Sequence, residues 1–343
     1  MNQGEKIMKK NYRVAVVGAT GMVGRKFLQV LEERNLPVSE YVLFASKNSA
    51  GKKLDFMGKQ YTVQELTDDA FRGLHIDIAL FSAGAETSRH FAPIAAESGA
   101  IVIDNSSCWR MDPDVPLVVP EVNPHAIPQC SKKGIIANPN CSTIQAMLVL
   151  KPLADAYGLK RVIYSTYQAV AGAGLKGYMD LQNGLTGIAP QKFPHPIAFN
   201  CLPHIDVFLE NGYTKEEQKM IDETRKILEL PDLKVTATCV RVPVYYGHSE
   251  SINIELASAF ELDKLKEVLA SYPGLIVQDD PANNVYPMAI TAADTDPVYV
   301  GRIRRDDTVE NGLNLWCVAD NIRKGAATNA VQIAEELIRQ WED

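Results

Sequence analysis

The stretch NPNCSTIQAM, residues 138–147, sets one cysteine directly behind an Asn-Pro-Asn corner and ahead of an apolar, helix-like run. Pro139 fixes its own φ and disfavours helix at Asn138, so the chain arrives extended at Asn140. Asn140 then reads as an N-cap, with Cys141 in the first turn of a helix running through STIQAMLVLKPLADA. Free N–H groups and the helix dipole at that end stabilise a thiolate. The same groups can stabilise an oxyanion on a bound carbonyl. On these residues alone the competing reading, a small core cysteine, stays open, because cysteine is among the most buried residue types.

A reactive thiol needs a base. Of the six histidines, His248 follows a strand that stops at Pro243 and a Tyr-Tyr-Gly corner, which predicts a loop position at a strand end. His75 and His90 read as surface residues. His125, His195 and His204 fall in Pro-rich loops, with no periodic reason to be core. Arg241, at the head of RVPV, reads locally as a cation at a strand start. Glu216 and Lys219 fall on one helix face and read locally as an exposed pair.

A second cluster lies near the start. GATGMVG places Gly18, Gly21 and Gly24 at three-residue spacing between a strand and a helix. Glycines there let the backbone turn sharply and approach a pyrophosphate, whose charge the helix N-terminus favours. The spacing departs from G-x-G-x-x-G, so a tight β-α turn without ligand is the competing reading. The next strand ends FASKNSAGKK, with no acid to accept from a ribose hydroxyl. Ser46, Lys47 and Ser49 suit a 2′-phosphate instead, which predicts NADP rather than NAD. Lys52 and Lys53 also fit a solvated basic loop.

The elements that must position these residues are legible. An apolar β-branched run over Val14–Val17 reads as a buried parallel strand, and Val23, Phe27, Leu28, Val30 and Leu31 recur at helical spacing behind the glycine turn. YVLFAS, IDIALFSAG, a helix from about Thr87 to Glu97, and AIVIDNSS continue the alternation. This predicts an α/β fold with a Rossmann-like, doubly wound parallel sheet. Beyond Cys141 the strands KRVIYSTYQAV, LKVTATCVRVPV and ESINIELASAF alternate more and carry more Thr. With the helix TKEEQKMIDETRKIL they predict an α+β second domain on a mixed sheet. AATNAVQIAEELIRQW reads as an amphipathic closing helix.

At 343 residues the chain suits two domains. The expected boundaries are 1–140 for the dinucleotide-binding domain, completed by a C-terminal helix at 322–343, and 141–321 for the second. A net charge of −7 without a long basic run argues against nucleic acid or an anionic membrane as partner. No apolar run reaches the ~18 residues of a membrane span. The polar, basic start MNQGEKIMKKNYR does not read as a secretory signal. Six scattered cysteines without C-x-x-C or Cys/His clusters argue against a disulfide framework or a zinc site, and for a cytoplasmic protein with free thiols.

Taken together, GATGMVG, IDNSSCWR, VPEVN, ANPNCSTIQ, YQAVAGAG, RVPVYYGHSE and DNIRKGAATNAVQIAE resemble the bacterial aspartate-semialdehyde dehydrogenases, from about Tyr12 to the C-terminus. The resemblance implies NADPH-dependent, reversible conversion of aspartyl 4-phosphate to aspartate 4-semialdehyde and phosphate, at the entry to lysine (with its diaminopimelate intermediate), threonine and methionine synthesis. It implies Cys141 as acyl-thioester nucleophile, His248 as acid/base and Gln168 as an orienting residue. Arg241 would pair with the substrate α-carboxylate in a bidentate fork, and Glu216 with its amino group. Arg110, Asn140 and Lys219 would hold phosphate. Gly18, Thr20, Gly21, Met22, Val23 and Gly24, the loop Ser46, Lys47, Asn48 and Ser49, and Ala171, Gly172 and Asn321 would meet the cofactor. A catalytic and dimerisation role for the second domain, a homodimer and no metal are implied as well.

Two positions depart from the family pattern. Asn48 stands where an arginine is common, which leaves the choice of NADP over NAD to Lys47 and the serines. Ala171 replaces a common serine. The nearest alternative with the same plan is an N-acetylglutamyl-phosphate reductase, for whose acetylated substrate an acid partner such as Glu216 is not needed. A non-catalytic NADP-binding redox regulator is the alternative from another class.

Overall fold

The computed structural model describes residues 12–342, so the polar start read above lies, but for Tyr12 and Arg13, outside the described residues. Within them the chain forms two units: 12–120 with 124–138 and 330–342, and Glu121–Asn123 with Pro139–Asn329.

In the first unit, β1 (Tyr12–Val17) is followed by α1 (Met22–Arg34), β2 (Val38–Ala45), a β3–β4 hairpin (Lys53–Phe56, Lys59–Thr62), β5 (Gln64–Glu65), β6 (Ile78–Phe81), α2 (Ala85–Glu97), β7 (Ile101–Asp104) and β8 (Ile135–Ala137). Six strands make one parallel sheet in the order β5-β2-β1-β6-β7-β8. Val14–Val17 and Ile78–Phe81 are buried throughout, as strands covered on both faces must be. The chain leaves β1 toward β2 and returns to β6 on its other side, a topological switch point of the kind where α/β sheets bind ligands. Gly18 sits there with φ +84°, and any Cβ on it would collide with the Ser82 carbonyl. Gly24 is packed equally hard against the Gly18 carbonyl. These two glycines are therefore demanded by the turn itself.

The second unit begins with α3 (Cys141–Tyr157), then β9 (Leu159–Gln168), α4 (Gly174–Gly184), α5 (Lys215–Leu228), β10 (Lys234–Arg241), β11 (His248–Leu256), α6 (Leu262–Ala270), β12 (Leu275–Val277), α7 (Ala289–Ala292), β13 (Val298–Asp306) and β14 (Gly312–Ala319). Its sheet runs β10-β9-β11-β14-β13-β12, with parallel pairs at both edges and antiparallel pairs between. Ile144–Leu150 on α3 are buried on all sides, which an all-round apolar helix requires. α5 carries a capping box between Thr214 and Glu217, worth about 1 kcal/mol. Glu217 also accepts from the Cys239 N–H at 3.0 Å, tying the start of α5 to β10.

A π-helical turn at Arg323–Ala327 leads into α8 (Thr328–Glu342). Asp320 accepts from the N–H groups of Ile322 and Arg323, and Lys324 pairs with Glu121, so this turn is anchored within the second unit. The division of the chain accordingly falls at Asn329/Ala330, later than the 321/322 expected, and at Asn138/Pro139 rather than 140/141. Among the described residues no helix is long and apolar enough to cross a membrane.

Candidate active site

Three neighbouring strands of the mixed sheet end in one row of polar side chains. Arg241 on β10 pairs in register with Gln168 on β9, and the pairing of Ser249 with Tyr167 sets His248 of β11 beside Gln168. All three are buried. The first turn of α3 stands over this row. Asn140 caps it, its Oδ1 accepting from the N–H groups of Ser142 and Thr143 at 2.9 and 3.3 Å. That cap places the Cys141 Sγ 3.2 Å from His248 Nε2.

The backbone N–H of Ala169 donates to His248 Nδ1 at 3.0 Å. An acceptor at Nδ1 puts the proton of the neutral ring on Nε2, facing the sulfur. Burial, followed by the Arg241 charge, drives the ring down to about 3, so it is neutral across the physiological range. His248 opens a buried strand, whereas Pro243 and the Tyr-Tyr-Gly corner predicted a loop. The corner is short enough for β11 to start at once. The other five histidines are exposed or half-buried, as at His75, His90, His125, His195 and His204.

Glu216 lies beneath Asn140 and Gln168 and accepts from their amides at 2.8 and 3.0 Å. Its other oxygen takes Lys219 Nζ at 3.1 Å, and Lys219 also reaches Asp206 at 2.9 Å. Burial alone would raise this carboxyl; the Lys219 charge and the two amides outweigh it and hold it at about 2. Glu216 is thus a buried carboxylate with a half-buried Lys219 beside it, rather than half of the exposed pair its local sequence suggested. Gln168 is fixed at both ends, since Thr166 donates to its carbonyl oxygen at 3.0 Å.

Arg241 ends its strand rather than opening one. It donates through Nη1 to the Ala169 carbonyl at 2.7 Å, while its buried Nε has no partner. Its guanidinium lies over the Phe193 ring. A buried cation with spare donors and no salt bridge among the described residues is an anion site in waiting. Asn321 behaves alike: its Oδ1 takes the Gly247 N–H at 3.0 Å, and its buried Nδ2 is left over. Ala171 and Gly172 lie in the 3₁₀ turn that follows Ala169, and a Cβ on Gly172 would come within 3.0 Å of Arg241 Nη1 and 3.3 Å of His248.

Two further residues of this cluster escaped the sequence reading. Glu223 accepts from the Asn140 N–H at 2.7 Å. It sits about two turns after Glu216 on the same helix, a periodic signal that was available. Gly325, in the π-helical turn, packs on Cys141 so closely that a Cβ would lie 3.0 Å from the cysteine Cβ. No local pattern marks that contact.

The remaining expected residues belong to the first unit. Gly21 caps α1 without a side-chain bond, so first-turn N–H groups of α1 stay open to an anion. Thr20, Met22 and Val23 flank it half-buried. Ser46, Lys47 and Asn48 are exposed and Ser49 half-buried, in a single 3₁₀ turn behind β2. Arg110 is buried and donates to the carbonyls of Asn138 and Asn105 at 2.9 and 3.1 Å. Among the described residues no cluster of His, Cys, Asp or Glu is placed to hold a metal ion.

The semialdehyde dehydrogenase NAD binding domain matches residues 13–130, and the semialdehyde dehydrogenase dimerisation domain matches residues 150–324. An aspartate-semialdehyde dehydrogenase of Aquifex aeolicus is 61% identical over 337 residues, covering 96% of this chain and 98% of the relative. The chain belongs to the aspartate-semialdehyde dehydrogenase family. Another member, from Campylobacter jejuni, is 52% identical across 96% of this chain and 98% of its own. The crystal structure of aspartate semialdehyde dehydrogenase II from Vibrio cholerae superposes with a TM-score of 0.92 at 48% identity, over 96% of this chain and 99% of that one. The same protein has been solved complexed with ASA. A family structure with NADP, from Candida albicans, gives a TM-score of 0.76 at 27% identity, over 97% of this chain and all of that one. The family plan of a parallel-sheet dinucleotide domain and a mixed-sheet second domain is the one described here.

Proposed function

We propose that this chain interconverts L-aspartyl 4-phosphate and L-aspartate 4-semialdehyde, with NADPH as reductant and phosphate as the released group, through a thioester on Cys141. The observation that carries this reading is the Cys141–His248 pair, set at a helix N-terminus beside a buried guanidinium and a buried carboxylate. The thiolate attacks the acyl carbon; the C–S bond forms as the C–O bond to phosphate breaks, and phosphate leaves with the electron pair. Bound NADPH supplies the hydride that reduces the thioester. His248 Nε2–H holds the oxygen on which negative charge builds, and can lend it the proton and recover it. The C–S bond then breaks, releasing the aldehyde and restoring the thiolate; the net proton is taken up with phosphate. The product aldehyde serves amino-acid biosynthesis.

Substrate selection follows charge. Arg241, with spare donors, suits the α-carboxylate, and Glu216, charged in the folded protein, suits the ammonium group. Gln168, clamped between Thr166 and Glu216, orients the acyl group. In the second unit, Lys219 and the second amide hydrogen of Asn140 are assigned to phosphate; Arg110, of the first unit, is assigned to phosphate by the family resemblance. In the first unit, the open first turn behind Gly18–Gly24 suits the cofactor's pyrophosphate. In the second unit, Ala171, Gly172 and Asn321, whose buried Nδ2 has no partner, are assigned to the cofactor as well. Lys47, with Ser46, Asn48 and Ser49, is assigned to a 2′-phosphate, which favours NADP over NAD.

We assign a homodimer to the open face of the mixed sheet, opposite α3. Tyr286 and Met288 are exposed there and, with Trp316, line a cavity of about 460 Å³. The six cysteines, none joined in a disulfide among the described residues, accord with a reducing, cytoplasmic setting.

The test is a steady-state assay of aspartate semialdehyde oxidation with NADP and NAD side by side. Phosphate-dependent reduction, with NADP preferred, is expected, and Lys47→Ala should raise KM for NADP while leaving NAD unaffected. Faster turnover of N-acetylglutamate semialdehyde would overturn the substrate assignment. Size-exclusion chromatography tests the dimer.

A further inference from the structure

Two residues beyond His248, on the same face of β11, lies a carboxyl for which the reaction above has no use. Glu250 is fully buried, and neither of its oxygens has a hydrogen-bond partner. Its cross-strand neighbours are Thr166 on β9 and Cys317 on β14. Among the described residues the groups that feel its charge are Tyr164, Cys239 and Cys317, none of them a cation. Over it stands the first turn of α3, with the Ser142 hydroxyl beside the carboxyl.

The polar atoms under that turn share one deficit. The Ser142 hydroxyl and the Gln145 carbonyl oxygen are buried without partners, like the carboxyl itself. Ser142 and Gln145 lie on one stripe of α3. The Gln145 amide already donates to the His248 carbonyl at 3.3 Å, so this stripe faces β11 at the histidine. The other nearby donors are committed: the Thr166 hydroxyl to Gln168, and the Cys317 thiol to the Gln145 backbone carbonyl. A carboxylate here would add acceptors to a group in which Ser142 supplies the one free hydroxyl. A carboxylic acid brings its own donor, and buried polar groups are expected to find one.

We propose that Glu250 is a positioning residue for the nucleophile: a neutral carboxylic acid that joins Ser142 and Gln145 of α3 to β11 and so holds Cys141 at hydrogen-bonding distance from His248. Burial agrees in direction, pushing this carboxyl well above the usual carboxylate range, with the Ser142 hydroxyl opposing only in part. The inference rests on the catalytic reading of Cys141 and His248. It differs from a simple core role in that the neutral acid acts on the alignment of two named atoms.

The experiment compares wild type, Glu250→Gln and Glu250→Leu by kcat, by KM, and by the pH midpoint of Cys141 alkylation with iodoacetamide. Gln preserves a donor and an acceptor in nearly the same shape and should retain the wild-type alkylation midpoint and most of kcat. Leu strands Ser142 and Gln145; kcat should fall about tenfold to a hundredfold with KM unchanged, as misplacement near 1 Å does. Its alkylation midpoint should move up, because the Nε2–H no longer faces the sulfur. A Gln variant as slow as Leu overturns the proposal, since the carboxyl's charge or proton would then take part. A Leu variant with wild-type kcat and midpoint overturns it too. Where Leu does not fold, Ser142→Ala replaces it: a raised midpoint supports the proposal, an unchanged one rejects it. Alkylation needs no substrate, so a failure of the assigned reaction would leave this readout intact.

Discussion

Cys141 Sγ and His248 Nε2 lie 3.2 Å apart, and the ring's other nitrogen is closed off by the Ala169 N–H. The neutral ring therefore offers the sulfur a proton-bearing nitrogen. Cys141→Ser is expected to lose kcat by about 10⁴-fold or more, as removal of a nucleophile does elsewhere. His248→Gln should lose roughly 10²- to 10⁴-fold in kcat with substrate still bound. Steady-state kinetics of both variants decide this; wild-type-like kcat in either rejects the pairing.

The same buried ring sets a pH dependence of stability. Unfolding lets His248 take a proton below its ordinary 6.5, whereas the folded ring stays neutral down to about 3. Its contribution is thus fully present above pH 6.5 and is lost progressively as pH falls toward 3, by an amount on the order of a few kcal/mol. Urea unfolding across that window should show a shallower loss in His248→Gln than in wild type. Parallel curves would mean that the ring is protonated in the native state.

Arg241 acts through its fork. An ammonium at the same place offers a point charge without planar donors. Arg241→Lys should raise KM for the semialdehyde about tenfold, the value of a charged hydrogen bond, and alter kcat less. An unchanged KM would remove the α-carboxylate from this guanidinium.

Gly325 is held against the nucleophile by the π-helical turn, within which its N–H donates to the Asp320 carbonyl at 2.9 Å. Gly325→Ala would set a methyl group 3.0 Å from the Cys141 Cβ and 3.3 Å from its Cα. Helix α3 is buried and yields little, so the cysteine must shift. We expect kcat to fall about tenfold or more with KM nearly constant, and stability to drop by about 1–3 kcal/mol. Stopped-flow alkylation and thermal melting measure the two effects. A variant with wild-type alkylation kinetics would contradict the contact.

Much of this was legible along the chain because it depends on near neighbours. Val14–Val17 announce a buried strand by composition, and the glycine turn by its place between strand and helix. Asn140 announces a cap because Pro139 forbids helix just before it. Each of these signals acts within one turn or one loop.

The site's energetics depend instead on register between strands far apart in sequence. Arg241, Gln168 and His248 fall in one row because β10, β9 and β11 pair as they do, and no local pattern states that pairing. For that reason His248 read as a loop residue, and Glu216 and Lys219 as an exposed pair. Glu250 shows the limit most clearly. A glutamate in an alternating strand carries no mark of which face it takes, and a shift of one residue would turn it to the other face. The sequence by itself determined the elements, the glycine turn and the capped thiol. The tertiary structure alone decided which polar groups would be buried together, because burial and pairing are properties of packed neighbours rather than of the chain's own spacing.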